Sequence, residues 1–244
     1  MRKLFAAGST ALLAACTPTP EPTSQSRPSF QAVRDADSSI KAYYRVAARV
    51  EPVAEGVCRS LHADKPHNFC DFRVNVNNDA SEPPNAYQTI GADGRPVITF
   101  NVNMLRSFRN DDEIAFVFGH EAGHQIARHI EQTQANQLAG AVLGGILVAV
   151  GGGDAQIGVD IGGAIGGRGY SKKYELEADT IAAHIADRAG YNAAIGARTF
   201  ERTGGSSALL ATHPPSSQRI DQVAKTIQVI NGAKAQGGRA PVAW

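Results

Sequence analysis

The sequence predicts an α+β fold, mostly helical, with a small β-sheet beside one central helix. Apolar residues recur at helical spacing over residues 35–60, 112–137 and 172–189. Strict apolar–polar alternation marks "FRVNVNN" at 72–78, and two short extended runs flank a turn at Asp93–Gly94. A chain of 244 residues that is 43% hydrophobic can bury one good-sized core with appendages.

Taken in order, residues 1–15 read as a leader rather than as part of the fold. Arg2 and Lys3 open it, an apolar and small-residue run follows, and "LAAC" leads into Cys16. This pattern resembles the bacterial lipoprotein signal, in which Cys16 becomes the lipid-modified first residue of the mature chain. Thr17 stands where an Asp would signal retention at the inner membrane, so the expected address is the periplasmic face of the outer membrane. Residues 16–34 are Pro/Ser/Thr-rich and are expected to form a disordered tether. In such an oxidising compartment Cys58 and Cys70 are expected to form a disulfide. Their spacing with His62 and His67 matches no standard zinc template, although a metal site is the rival. With 24 basic and 23 acidic residues the chain has no basic excess that would draw nucleic acid.

The domain is expected over residues 35–231. Ile40, Tyr43, Tyr44, Val46, Ala47 and Val50 mark the apolar face of a first helix, which Pro52 is placed to interrupt. The strand signals follow, and residues 96–103 read as a strand that could offer a free edge to an extended peptide. Asn110 or Asp111 caps a long helix over 112–137, with acids in its first turn where the helix dipole favours them. Residues 138–169 are rich in Gly, Ala, Val and Ile. Glycines break this stretch, which reads as packed small-residue helices or a cover rather than a membrane span. A helix over 172–189 closes at Gly190. Helices near 193–203 and 216–231 and a flexible tail at 232–244 complete the chain.

The central helix carries "HEAGH" at 120–124. Residues four apart share a helix face, so His120 and His124 can grip one metal ion while Glu121 reaches a metal-bound water as its base. Alone, the motif also fits a pair of surface histidines. A third ligand is needed. His129 falls one residue short of the position six after His124 that some zinc peptidases use, and it points off the metal face to pack or to hydrogen-bond. "YSKKYELEAD" at 170–179 offers Glu175 as ligand and Asp179, one turn on, as the acceptor that orients a ligand histidine. Glu177, rotated by about 200°, is expected to face away. Acids on a helix often mark a solvated face, but Ala178, Ile181, Ala182 and Ile185 make this helix a buried one. In "THPPSSQR" at 212–219, His213 could donate to a developing oxyanion or fill the open metal position. Arg219 could stabilise the same charge or pair with an acid.

These three motifs in this order resemble the HtpX/CAAX-prenyl-protease family of zinc metallopeptidases, and within it the soluble periplasmic BepA/LoiP-like branch. The resemblance covers roughly residues 40–229. It implies a zincin-type domain holding one Zn2+ on His120, His124 and Glu175, with Glu121 as base, Asp179 behind a ligand, and catalytic roles for His213 and Arg219. The family commonly has a longer apolar side chain where Gly123 sits and a basic residue where Tyr174 stands. The implied activity is endopeptidase cleavage of unfolded or misassembled envelope proteins, close to the outer-membrane assembly machinery. Two rival readings are a chaperone-like assembly factor with a closed zinc site and a peptidoglycan-directed zinc hydrolase.

Overall fold

The computed structural model describes residues 32–150, 170–202, 213 and 217–244. The expected leader, Cys16, residues 16–31 of the tether and residues 151–169 of the Gly-rich stretch lie outside the described residues. At the end of the expected tether, Val33 and Arg34 are docked, both backbone N–H groups donating to the Arg106 carbonyl.

Helix α1 (Ala36–Leu61) starts at Asp35, whose carboxylate accepts from Ser38 N. The expected interruption at Pro52 does not occur. Pro52 sits on the exposed side, while Val50, Ala54 and Val57 anchor the helix on either side of it. A disulfide joins Cys58 near the end of α1 to Cys70, with Cα atoms 5.6 Å apart. His62 meets the Ile126 carbonyl at 2.6 Å, so it belongs to no Cys/His metal site.

The sheet contains β1 (Arg73–Asn77), β2 (Ala86–Ile90) and β3 (Pro96–Asn101) in the order β1-β3-β2. β2 and β3 form the expected hairpin, turning through Gly94 at φ 76°. β1 pairs parallel to β3. The strand expected to show a free edge is therefore the central one, and β1 and β2 are the edges. β3 also ends sooner than expected, because the Asn101 side chain caps a short helix, α2 (Val102–Ser107), by accepting from Met104 N.

Asn110 caps α3 (Asp111–Ile126) through Glu113 N, and every residue from Glu113 to Ile126 is buried. The single helix expected over 112–137 is broken at Arg128, which adopts a left-handed conformation at φ 61°. α4 (His129–Val150) then leaves in a new direction. A left-handed non-glycine residue costs about 1–2 kcal/mol. Hydrogen bonds of the His129 ring with His124 and Glu177 act against that cost. Among the described residues no helix is long and apolar enough to cross a membrane.

Helix α5 (Lys172–Arg188) is capped by Ser171 and released at Gly190, φ 85°. It packs along α3 through small residues. A Cβ on Gly123 would lie 3.0 Å from the Cα and O of Ala178, and one on Gly119 would lie 3.1 Å from the Cα of Ala182. A longer side chain at position 123 has no room in this chain. Two single turns, α6 (Ala193–Gly196) and α7 (Thr199–Arg202), replace one expected helix. α8 (Ser217–Ala235) runs four residues past its expected end. The tail expected to be flexible folds back: Ala240 is buried and its carbonyl accepts from Arg188 Nη2 at 2.8 Å.

Candidate metal centre

α3 presents His120 and His124 on consecutive turns, and the small-residue seam brings Glu175 of α5 opposite them. His213, ahead of α8, completes the group. All four side chains are buried, and one ligating atom from each lies within 4.8 Å of the others.

Their separations carry chemical information. His120 Nε2 and His124 Nε2 are 3.1 Å apart. His213 Nδ1 lies 3.2 and 3.3 Å from them and 3.0 Å from Glu175 Oε1. The Glu175 carboxylate lies 3.5 Å from His120 Nε2 and 3.7 Å from His124 Nε2. Ligands bound tetrahedrally at about 2.0–2.1 Å stand about 3.3–3.4 Å from one another. The three nitrogen–nitrogen distances fall close to that length, and the Glu175 carboxylate meets the nitrogens through Oε1 at 3.0 and 3.7 Å and through Oε2 at 3.5 Å.

Hydrogen bonds behind the group support the same reading. His120 Nδ1 donates to Asp179 Oδ1 at 2.9 Å, which leaves its Nε2 lone pair facing inward. Arg219 grips Asp179 through two bonds, Nε to Oδ2 at 2.7 Å and Nη2 to Oδ1 at 2.6 Å. Its Nη1 reaches Glu175 Oε2 at 3.1 Å and the His213 carbonyl at 3.3 Å, and its guanidinium stacks on Phe200 at 3.8 Å. Of the two roles open to Arg219, the structure shows pairing with an acid. For His213, it places Nδ1 3.0–3.3 Å from the other three candidate ligand atoms.

Buried acids and bases are shifted accordingly. Burial opposes the charge on Asp179, but Arg219 outweighs it and holds the carboxyl below its usual range. Burial likewise opposes charge on Glu175, and contacts with His120 and His213 bring it well below the usual range. Burial and Arg219 disfavour charging His120, yet Asp179 and Glu175 prevail and raise it to about 9, so binding a cation at Nε2 would release a proton from that atom. His124 is pushed well below its ordinary value by burial and then by the charge of His120. Burial pushes the Glu121 carboxyl up, offset only in part by His213 and His120. Glu121 Oε1 and Glu175 Oε2 have no hydrogen-bond partner; the Arg219 contact with the latter is an ion pair alone. Inward ring nitrogens and carboxylate oxygens without hydrogen-bond partners, all buried, fit one divalent cation, and the His₃Glu donor set suits zinc.

Residues 45–227 match Peptidase family M48. The chain belongs to peptidase family M48. It is 30% identical over 171 residues to the mitochondrial metalloendopeptidase OMA1 of Saccharomyces cerevisiae, covering 66% of this chain and 48% of that protein. Arabidopsis thaliana OMA1 is 34% identical over 128 residues, 50% of this chain and 26% of the relative. The metalloprotease LoiP of Escherichia coli is 28% identical over 131 residues, 49% and 51%. The chain thus spans about half or less of the length of these M48 relatives. M48 metalloproteases use zinc, in accord with the donor set.

In this M48 chain, the structure brings together His120, Glu121, His124, Glu175, Asp179, His213 and Arg219. Sequence reasoning missed what stands behind His124. His129 Nδ1 lies 2.9 Å from His124 Nδ1, and His129 Nε2 lies 2.9 Å from Glu177 Oε2. The hydrogen-bonding role expected of His129 is present, but a straight helix hides its partners. Glu177 does face away from the metal position, yet it faces His129. Tyr170 stacks on His124 with centroids 3.9 Å apart, and Tyr174 stacks on His129 at 4.3 Å.

Proposed function

We propose that this M48 chain is a zinc-dependent endopeptidase of the HtpX/CAAX-prenyl-protease type and LoiP-like branch. In this reading it cleaves extended segments of misfolded or misassembled envelope proteins, anchored through lipid on Cys16 at the periplasmic face of the outer membrane. The observation that carries the peptidase reading is the tetrahedron formed by His120, His124, Glu175 and His213 with Glu121 beside it. The "LAAC" segment alone supports the address.

Zinc, when bound, supplies an activated water and polarises the scissile carbonyl. Glu121 is the proton carrier: burial raises its carboxyl, so it can accept a proton from the attacking water and pass it to the departing amine. Asp179, locked by Arg219, keeps the His120 Nε2 lone pair directed inward. β2 rather than β3 offers the free edge. Gln88 of β2 donates to Gln125 Oε1 at 3.1 Å, which ties that strand to the metal-binding helix one residue beyond His124. An extended segment added to β2 is held by main-chain hydrogen bonds, a mode that reads side chains little and suits unfolded substrates.

One observation favours a second reading. His213 Nδ1 stands where a catalytic water would stand, which fits a chaperone-like assembly factor with a closed site. Purified protein, Glu121→Gln and His213→Ala separate the two through zinc content and casein cleavage. We expect one zinc per chain in wild type and Glu121→Gln, with nearly all cleavage lost in Glu121→Gln. Full activity in Glu121→Gln would remove it as the base. Zinc-loaded wild type and His213→Ala that both leave casein intact would favour the closed-site factor.

A further inference from the structure

The two metal-facing imidazoles are oriented by unlike means. Behind His120 stands a carboxylate. Behind His124 stands another imidazole, and only behind that a carboxylate. We infer that Glu177 and His129 form a positioning relay that fixes His124 with its Nε2 lone pair toward the metal position, a role resting on the metal-centre reading above.

An ionised carboxylate only accepts hydrogen bonds, so Glu177 Oε2 at 2.9 Å requires the N–H of His129 to be on Nε2. In a neutral ring this leaves His129 Nδ1 bare, an acceptor. It lies 2.9 Å from His124 Nδ1, which must then carry the N–H of that ring. His124 Nε2 is therefore bare, and it is the atom that faces His120 Nε2, His213 Nδ1 and Glu175. Each ring is held in plane by a tyrosine. Tyr170 stacks on His124 at 16°, Tyr174 stacks on His129 at 14°, and Asn136 donates to the Tyr174 hydroxyl at 3.2 Å. His129 is fully buried and Glu177 sits at the rim with its side chain 15% exposed, so the relay carries the influence of a solvent-facing carboxylate inward.

This arrangement accounts for two features otherwise without a role. The left-handed turn at Arg128 starts a new helix at His129, returning its ring toward His124. Tyr174, where the family commonly has a basic residue, covers the face of the relay imidazole.

The test measures metal binding directly, so it does not depend on whether the chain cleaves anything. Zinc affinity is determined by chelator competition for wild type, His129→Leu, His129→Asn and Glu177→Leu. Absorption spectra of the cobalt-substituted proteins and melting temperatures after chelator treatment accompany it. We expect about 10–100-fold weaker zinc binding in His129→Leu and Glu177→Leu, the range typical of losing a partner behind a ligand histidine. His129→Asn, whose amide oxygen can accept near the position of Nδ1, should recover most of that loss, and the cobalt spectrum should shift in the Leu variants alone. Wild-type affinity and spectrum in His129→Leu would overturn the relay. So would His129→Asn binding no better than His129→Leu while melting as the wild type does. A wild-type protein that takes up no zinc would overturn the metal centre itself, and the relay with it.

Discussion

Helix α5 buries titratable groups in both of its halves, by opposite means. In the first half Glu175 and Asp179 stay charged, surrounded by Arg219 and imidazoles. In the second half His184 is kept neutral: burial, and then the nearby Arg188, bring its pKa down to about 4. Compensated charges depend on every partner remaining in place and respond little to pH near neutrality. A group kept neutral needs no partner and responds to pH instead. The half that builds the site is therefore sensitive to substitution, and the half that builds structure is sensitive to acid.

The largest test of that contrast removes the cation. Arg219→Met strips Asp179 of a bidentate partner in the interior and should destabilise the fold by about 3–5 kcal/mol in urea unfolding. A loss below about 1 kcal/mol would show that the acids are not held by that pair. The next addresses the seam that brings the charged half against α3. Gly123→Ala forces a methyl to within 3.0 Å of Ala178 backbone and should cost about 1–3 kcal/mol while weakening zinc binding. Unchanged stability and zinc affinity would mean the helices separate freely. The smallest effect belongs to the second half. The folded pKa of His184, about 4, lies below its ordinary 6.5, so the unfolded chain binds the proton more readily. The stability this permits is complete above about pH 6.5 and is lost as pH falls toward 4. His184 lines an open cavity of about 270 Å³, which moderates the effect to about 1–2 kcal/mol. His184→Gln should flatten that acid limb, and an unchanged limb would place the titration elsewhere.

The metal-binding face was legible because it depends on short-range geometry. His120 and His124 are one turn apart, and Glu175 and Asp179 are one turn apart, so each pair is set by helical period alone. The hairpin was legible for the same reason, since Asp93–Gly94 encodes its turn locally. The position of β3 between two partners was not, because β1 joins it in parallel from a distant part of the sequence. The break at Arg128 carries no glycine or asparagine to announce a left-handed residue, so the pattern reads as one uninterrupted helix. With that turn hidden, His129 and Glu177 were each read as turned away from the metal face, with nothing to pair them. Arg219 and His213 were recognisable as polar residues worth explaining, but the acids they meet, Asp179 and Glu175, lie on α5 at separations that no spacing rule reaches.

Contact between Gly123 and Ala178 has a consequence for the order in which the molecule matures. Before that seam closes, one half of the donor set belongs to one stretch of chain and the other half to another, and neither binds an ion well alone. Tight binding of an ion by this group would thus wait on completion of the tertiary structure.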